Sequence, residues 1–180
     1  MRAFSQDDAG TVTRTLLDRS DEDEGLYDPV TGLPGRLLQR AHLVQALKRA
    51  SRHETRVAVL FLDIEDFDAL NQRMGPALAD EVLLVVADRL RGALRDTDMT
   101  ARLDGDEFVI VCEDLKGPRD LENLARRVSE AANMAMVVGD QAVEVRVTTG
   151  AALSTGRQRA GALMNAANQD MLRARSGGAG

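Results

Sequence analysis

Two clusters of acidic side chains are the most chemically suggestive feature of this 180-residue sequence. The first is LDIEDFD at residues 62–68, directly after an apolar run, and the second is DGDEF at residues 104–108. Carboxylates at the end of a buried strand lose hydration and repel one another, and a hard divalent cation such as Mg²⁺ relieves both costs. Such a cation can in turn hold the phosphates of a nucleotide. The spacing alone leaves open whether the clusters meet or are two ordinary solvated loops.

The elements that must position these clusters predict an α+β domain, in which helices pack on a four- or five-stranded, mostly antiparallel sheet. The apolar run at residues 57–62 is typical of a buried central strand. The dipeptide Asp-Gly at residues 104–105 is suited to a type I′ hairpin turn. Strands are predicted at residues 57–62, 99–103, 108–113 and 143–153, and helices at residues 36–51, from Pro76, from Pro118 to about Met136, and at residues 160–175.

Composition and charge restrict the classes of function. The hydrophobic content of 44% supports a buried core, and the net charge of −6 argues against a nonspecific nucleic-acid or anionic-membrane binder. No run approaches the roughly 18 apolar residues of a membrane span, and the N-terminus lacks a signal-peptide core. We therefore expect a cytoplasmic domain at residues 27–178, with an N-terminal extension or linker at residues 1–26 and a flexible tail at residues 179–180.

Three motifs in order resemble the GGDEF family, the diguanylate cyclases. RLDGDEF at residues 102–108 resembles the family signature, DPVTGLPGR at residues 28–36 its start motif, and LDIEDFDALN at residues 62–71 its metal and nucleotide segment. The resemblance implies a fold like the palm of nucleotide cyclases and polymerases. It also implies that two GTP molecules condense to cyclic di-GMP and release two pyrophosphates, in a homodimer that forms at least transiently.

The resemblance assigns a role to individual residues. It implies a Mg²⁺ or Mn²⁺ site made by Asp63, the backbone carbonyl of Ile64, Asp106 and Glu107. Asp106 and Glu107 would also be the catalytic pair, with Glu107 a metal ligand or the base that helps deprotonate the ribose hydroxyl. The implied GTP contacts are the guanine readers Asn71 and Asp80, the backbone N–H groups of Phe67 and Asp68, the turn residue Gly105, and Arg175 at the triphosphate.

A second site is implied by the pair Arg95 and Asp98, which forms an RxxD motif just before the DGDEF signature. In the family this offset marks an inhibitory site that binds cyclic di-GMP. The arginine fork can grip a guanine edge or a phosphate, and the carboxylate can accept from guanine N–H groups. Without that resemblance, such a pair would be interpreted as a surface salt bridge.

The sequence also departs from the family pattern at phosphate-facing positions. Asp104 replaces the first glycine of the signature, Asp68 replaces a usual lysine, and Arg175 replaces another lysine. Two of these changes add negative charge where a triphosphate must lie, so we expect the cyclase activity to be weak. The alternative is a noncatalytic sensor that binds cyclic di-GMP at the RxxD site or GTP at the altered active site. A dimerising scaffold that binds neither is the third reading.

Overall fold

The first acidic cluster begins at the end of one of the two inner strands of the central sheet. The computed structural model describes residues 25–177, so the predicted tail and nearly all of the predicted extension lie outside the described residues. The elements in chain order are α1 (Arg36–His53), β1 (Arg56–Ile64), α2 (Phe67–Met74), α3 (Pro76–Gly92), β2 (Met99–Asp104), β3 (Glu107–Leu115), α4 (Pro118–Ala132), β4 (Met136–Val138), β5 (Gln141–Val143), β6 (Val147–Leu153) and α5 (Ala160–Gly177). The predicted α+β class is confirmed.

The main sheet has the strand order β2-β3-β1-β6, and every neighbouring pair is antiparallel. Strand β1 is apolar from residue 57 to residue 62 because both of its faces are covered. Leu60 and Leu62 point into a core beneath α3 and α4, whereas Val59 and Phe61 point into a second core beneath α1 and α5. The last eight residues of β1 are buried, and the two acidic residues that follow the strand, Glu65 and Asp66, are exposed.

Several short elements differ from the sequence-based expectation. Helix α2 precedes α3 as a separate helix; it is only 8 residues long, too short to show a clear apolar period. Helix α4 ends at Ala132 rather than near Met136, because residues 136–138 pair with β5 in a two-stranded ribbon. The predicted strand at residues 143–153 is divided between that ribbon and β6.

The hairpin turn lies one residue later than its dipeptide suggested. Asp104 pairs with Glu107 across the β2-β3 ladder, so the two turn residues are Gly105 and Asp106. Gly105 has a φ of +41°, whereas Asp106 is not left-handed, which excludes the predicted type I′ turn. Asp104 itself needs no left-handed backbone here, so its carboxylate matters for its charge and not for the turn geometry.

Candidate active site

The two acidic clusters meet at one end of the sheet. Asp63, near the end of β1, lies opposite Glu107, the first residue of β3. The N–H of Ile64 donates to the carbonyl of Asp106 at 3.4 Å, which ties the end of β1 to the hairpin turn. Asp63 is only 4% exposed, although it is a carboxylate. The structure thus brings Asp63, Ile64, Asp106 and Glu107 together as one acidic cluster.

This cluster carries more negative charge than its surroundings neutralise. Burial and then the charge of Asp106 raise the pKa of Asp63, and the nearby Arg175 opposes that shift. Burial and then the charge of Asp63 raise the pKa of Glu107, and Arg36 opposes it. The Oδ1 atom of Asp63 is buried and has no hydrogen-bond donor among the described residues. An additional cation would relieve both shifts.

Arg175 reaches the cluster from the last helix. Its Nη1 donates to Oδ2 of Asp63 at 3.3 Å, and its Nη2 lies 3.2 Å from Oδ1 without hydrogen-bond geometry. Helix α5 can deliver this side chain because its backbone lies almost directly on Gly150 of β6, where a Cβ atom would come within 1.9 Å of the Met171 nitrogen. Met171 and Arg175 are four residues apart and share a helix face. Because Gly150 has no side chain, α5 lies close enough to β6 for Arg175 to reach Asp63.

The donor set fits a hard divalent cation. The carboxylates of Asp63, Asp106 and Glu107 and the backbone carbonyl of Ile64 offer oxygen atoms, the ligand type that Mg²⁺ takes, and Oδ1 of Asp63 is unpartnered among the described residues. Across residues 25–177, no group of three or more His, Cys, Asp or Glu side chains is placed to hold a metal ion by itself. A Mg²⁺ ion at this site would therefore need water and substrate phosphates to complete its shell, as Mg²⁺ commonly does.

One important residue of the site received no role from sequence reasoning. Arg102 donates from Nη1 to both carboxylate oxygens of Asp28, at 2.8 and 2.9 Å, and from Nε and Nη2 to the carbonyl of Gly105. Both side chains of this ion pair are about nine-tenths buried. Burial opposes ionisation of Asp28, but hydrogen bonds from Thr31 and Arg102 lower its pKa. Arg102 was visible only as a signature residue, because its partner lies 74 positions away.

The predicted GTP-contacting residues occupy two consecutive helices beside the cluster. Phe67 and Asp68 open α2, whose N-terminus has no side-chain cap, so its N–H groups are available to an anion. The Phe67 side chain is buried in the core, which leaves only its backbone to face a ligand. Asn71 is half-buried on α2 and Asp80 is exposed on α3. Within residues 25–177, no side-chain hydrogen bond joins either of them to the carboxylate cluster.

Arg95 and Asp98 lie on the loop between α3 and β2. The Asp98 carboxylate accepts from the Arg95 backbone N–H at 3.1 Å, and the Asp98 N–H donates to the Arg95 carbonyl at 2.9 Å. Their side chains form no salt bridge with each other, nor does Arg95 pair with another carboxylate in the described part of the chain. Both residues line two neighbouring cavities of about 430 and 440 Å³. Lys116 and Arg127 line the first of these.

The fold and the acidic cluster define an α+β domain with a carboxylate site at the sheet end, beside a hairpin turn. A family model described as "Diguanylate cyclase, GGDEF domain" matches residues 25–180, and the chain belongs to this GGDEF family. The family resemblance inferred from the motifs is therefore confirmed, and the chain is a domain of cyclic di-GMP metabolism. Among residues 25–177, no helix combines the length and the apolar character needed to span a bilayer.

Relatives and a solved structure support the same assignment. The chain is 37% identical over 131 residues to the bifunctional diguanylate cyclase/cyclic di-GMP phosphodiesterase MucR of Pseudomonas aeruginosa, covering 73% of this chain and 19% of MucR. It is 37% identical over 128 residues to the diguanylate cyclase TpbB of the same species, covering 71% and 29%. The solved GGDEF domain of TpbB matches with a TM-score of 0.79 and 34% identity, covering 83% and 88%. The chain therefore spans less than a third of either curated relative.

Proposed function

We propose that this domain is a diguanylate cyclase that condenses two GTP molecules into cyclic di-GMP in the presence of Mg²⁺ or Mn²⁺. The observation that carries the proposal is the cross-strand pair Asp63 and Glu107, joined to the Asp106 turn at the end of the sheet. These carboxylates lie where burial and mutual repulsion favour a cation, and cation-bound phosphates are the natural ligand of such a site.

The chemistry requires two copies of the domain to face each other. Each ribose 3′-oxygen attacks the α-phosphorus of the other GTP, so that a new P–O bond forms while the α–β phosphoanhydride bond breaks. Pyrophosphate leaves, and the hydroxyl proton passes to Glu107 and then to water. The open N-terminus of α2, at Phe67 and Asp68, donates to phosphate oxygens, and Asn71 and Asp80 orient the guanine.

A divalent cation held by Asp63, Asp106 and the Ile64 carbonyl would neutralise the charge that develops on the phosphates. Arg175 already provides a positive charge at Asp63 and is expected to turn to the triphosphate when GTP is present. Asp104 works in the opposite direction: it pairs directly with Glu107 across the hairpin and is exposed beside the turn. We therefore propose that the activity is genuine but weak.

The test is a product assay with the purified full chain at high protein concentration. GTP and Mg²⁺ or Mn²⁺ are added, and cyclic di-GMP and pyrophosphate are quantified by chromatography. Replacing Glu107→Gln should reduce the rate by about 10²-fold or more, since it removes the proton acceptor. Glu130→Gln on α4 is the matched control, because Glu130 is exposed and its ion-pair partner within the described part of the chain is Arg126. The absence of product from the unaltered chain would overturn the proposal.

Binding of cyclic di-GMP through Arg95 and Asp98 is the second candidate function. It is favoured by the position of the Arg95 side chain, which has no ion-pair partner in residues 25–177 and lines two cavities beside Asp98. Calorimetry of the Glu107→Gln protein with cyclic di-GMP separates binding from turnover. Arg95→Ala should abolish the binding heat, and Arg173→Ala is the control, because Arg173 is exposed on α5 and lines neither cavity. Equal heats from both variants would contradict this site.

A further inference from the structure

A long groove with a basic rim lies between α1 and the start of α5, on the side of the sheet away from α3 and α4. Its volume is about 1070 Å³. Its floor is apolar and includes Leu43, Leu47 and Met164. Six cationic side chains line it, from α1 and from the segment that leads into α5: Arg36, Arg40, Lys48, Arg52, Arg157 and Arg159.

The positive charge of this groove is not balanced from within the described domain. No aspartate or glutamate from residues 25–177 lines it. None of its six cations forms a salt bridge with a carboxylate of residues 25–177. Such an accumulation is unusual in a chain whose net charge is −6. Like charges that are placed together without partners repel one another, and an acidic occupant would remove that repulsion.

We propose that this groove binds the acidic stretch at residues 18–24 of the same chain. That stretch, DRSDEDE, contains five carboxylates and one arginine, and two leucines at residues 16–17 precede it. The carboxylates of this stretch match the basic rim of the groove. Charge complementarity of this kind fixes the partner and its register more strongly than it adds affinity, and a covalently attached partner needs little affinity.

The position and length of the groove agree with this occupant. The chain enters the described domain at the Arg36 end of the groove, since the N–H of Gly35 donates to the carbonyl of Leu26 at 2.7 Å. From Arg36 to Arg52 the groove follows α1 for roughly 24 Å at about 1.5 Å per residue. Seven residues in extended form span about 23 Å. Residues 18–24 could therefore run the full length of the groove without a loop.

The docking does not depend on the proposed cyclase function, so the decisive experiment measures a distance and not turnover.

The experiment uses the full chain with spin labels at Ser20→Cys and Ser51→Cys, in a Cys112→Ala background that removes the one native cysteine. Ser51 lines the far part of the groove. Pulsed electron paramagnetic resonance at low ionic strength should give a short, narrow distance population between the labels. That population should be lost near 1 M salt, where the Debye length falls to about 3 Å.

Two triple variants distinguish docking from a general charge effect. The groove variant Arg40→Gln, Lys48→Gln, Arg52→Gln should lose the short population, and glutamine keeps the helix propensity of these exposed positions. The control variant Arg119→Gln, Arg126→Gln, Arg173→Gln removes three exposed cations elsewhere and should retain it. Circular dichroism confirms that each variant is folded. The proposal would be overturned if all of these proteins gave the same broad distribution of distances between the two labels. It would also be overturned if the protein sedimented with phosphatidylserine vesicles and the groove variant did not, because the groove would then bind a membrane.

Discussion

Replacing Gly150 with alanine should be one of the most damaging small changes in this domain. A Cβ atom at Gly150 would come within 1.9 Å of the Met171 nitrogen, 2.4 Å of its Cα and 2.5 Å of the Ala167 carbonyl oxygen. All three are backbone atoms of α5, so no side-chain rotation can relieve the clash. Ordinary contact begins at 3.4 Å. The helix would have to retreat by about 1.5 Å, in an interior packed as densely as an organic crystal.

The loss of stability expected from Gly150→Ala can be estimated from the packing that a retreat of α5 would disrupt. Leu163, Ala167 and Met171 anchor α5 and are at most 1% exposed. Overpacking typically costs about 1–3 kcal/mol, and contact with backbone atoms places Gly150→Ala at or above the upper end of that range. For a domain of this size, each kcal/mol lowers the melting temperature by about 2–4 °C. We therefore expect a decrease of about 6–12 °C or more.

Thermal and urea unfolding of the full chain measure this effect, with Gly161→Ala as the matched control. Gly161 lies near the start of the same helix and has no atom within 4 Å of a built Cβ. The same substitution there should be neutral or stabilise by up to about 1 kcal/mol. If Gly150→Ala unfolds at the temperature of the unaltered protein, the close approach of α5 to β6 is wrong, and with it the explanation of how Arg175 is positioned.

Three further substitutions probe the site. Asp63→Asn should raise the free energy of unfolding at neutral pH and abolish cyclase activity. Folding raises the pKa of Asp63, so the folded state holds this proton more tightly than the unfolded state does. Ionisation of Asp63 therefore lowers the stability as the pH rises from the unfolded-state pKa through the folded-state pKa. Urea unfolding at pH 4 and pH 7 should therefore show the gain mainly at pH 7. Arg102→Ala should cost about 3 kcal/mol in urea unfolding, because it leaves Asp28 buried without its ion-pair partner and frees the Gly105 carbonyl. Asp104→Gly should increase the rate of cyclic di-GMP formation, and an unchanged rate would contradict the electrostatic argument.

The sequence predicted the parts of this fold that depend on local pattern. The uninterrupted apolar run of β1 and the hairpin that follows β2 were visible because a buried strand and a glycine turn have clear local patterns. The ribbon of β4 and β5 was missed because three-residue strands show no usable alternation. The DGDEF motif located the turn to within one residue, but the pairing of Asp104 with Glu107 decided its position.

The contacts that complete the site depend on residues far apart in the chain. Arg175 meets Asp63 across 112 positions, and the residue that permits it is a glycine in the middle of an ordinary strand pattern. No periodicity identifies Gly150 as the point where a helix backbone touches the sheet. The family resemblance indicated which residue types matter, whereas only the packing shows which of them are in contact.

The guanidinium of Arg102 joins two parts of the chain that the sheet does not connect. One is the segment at Asp28, where the polypeptide enters the domain, and the other is the turn at Gly105 beside the acidic cluster. We therefore expect a displacement of the entering segment to reach that turn through Arg102, whose guanidinium contacts both Asp28 and Gly105. Force applied to the polypeptide ahead of Asp28 would in this way reach the carboxylate cluster at Asp63, Asp106 and Glu107.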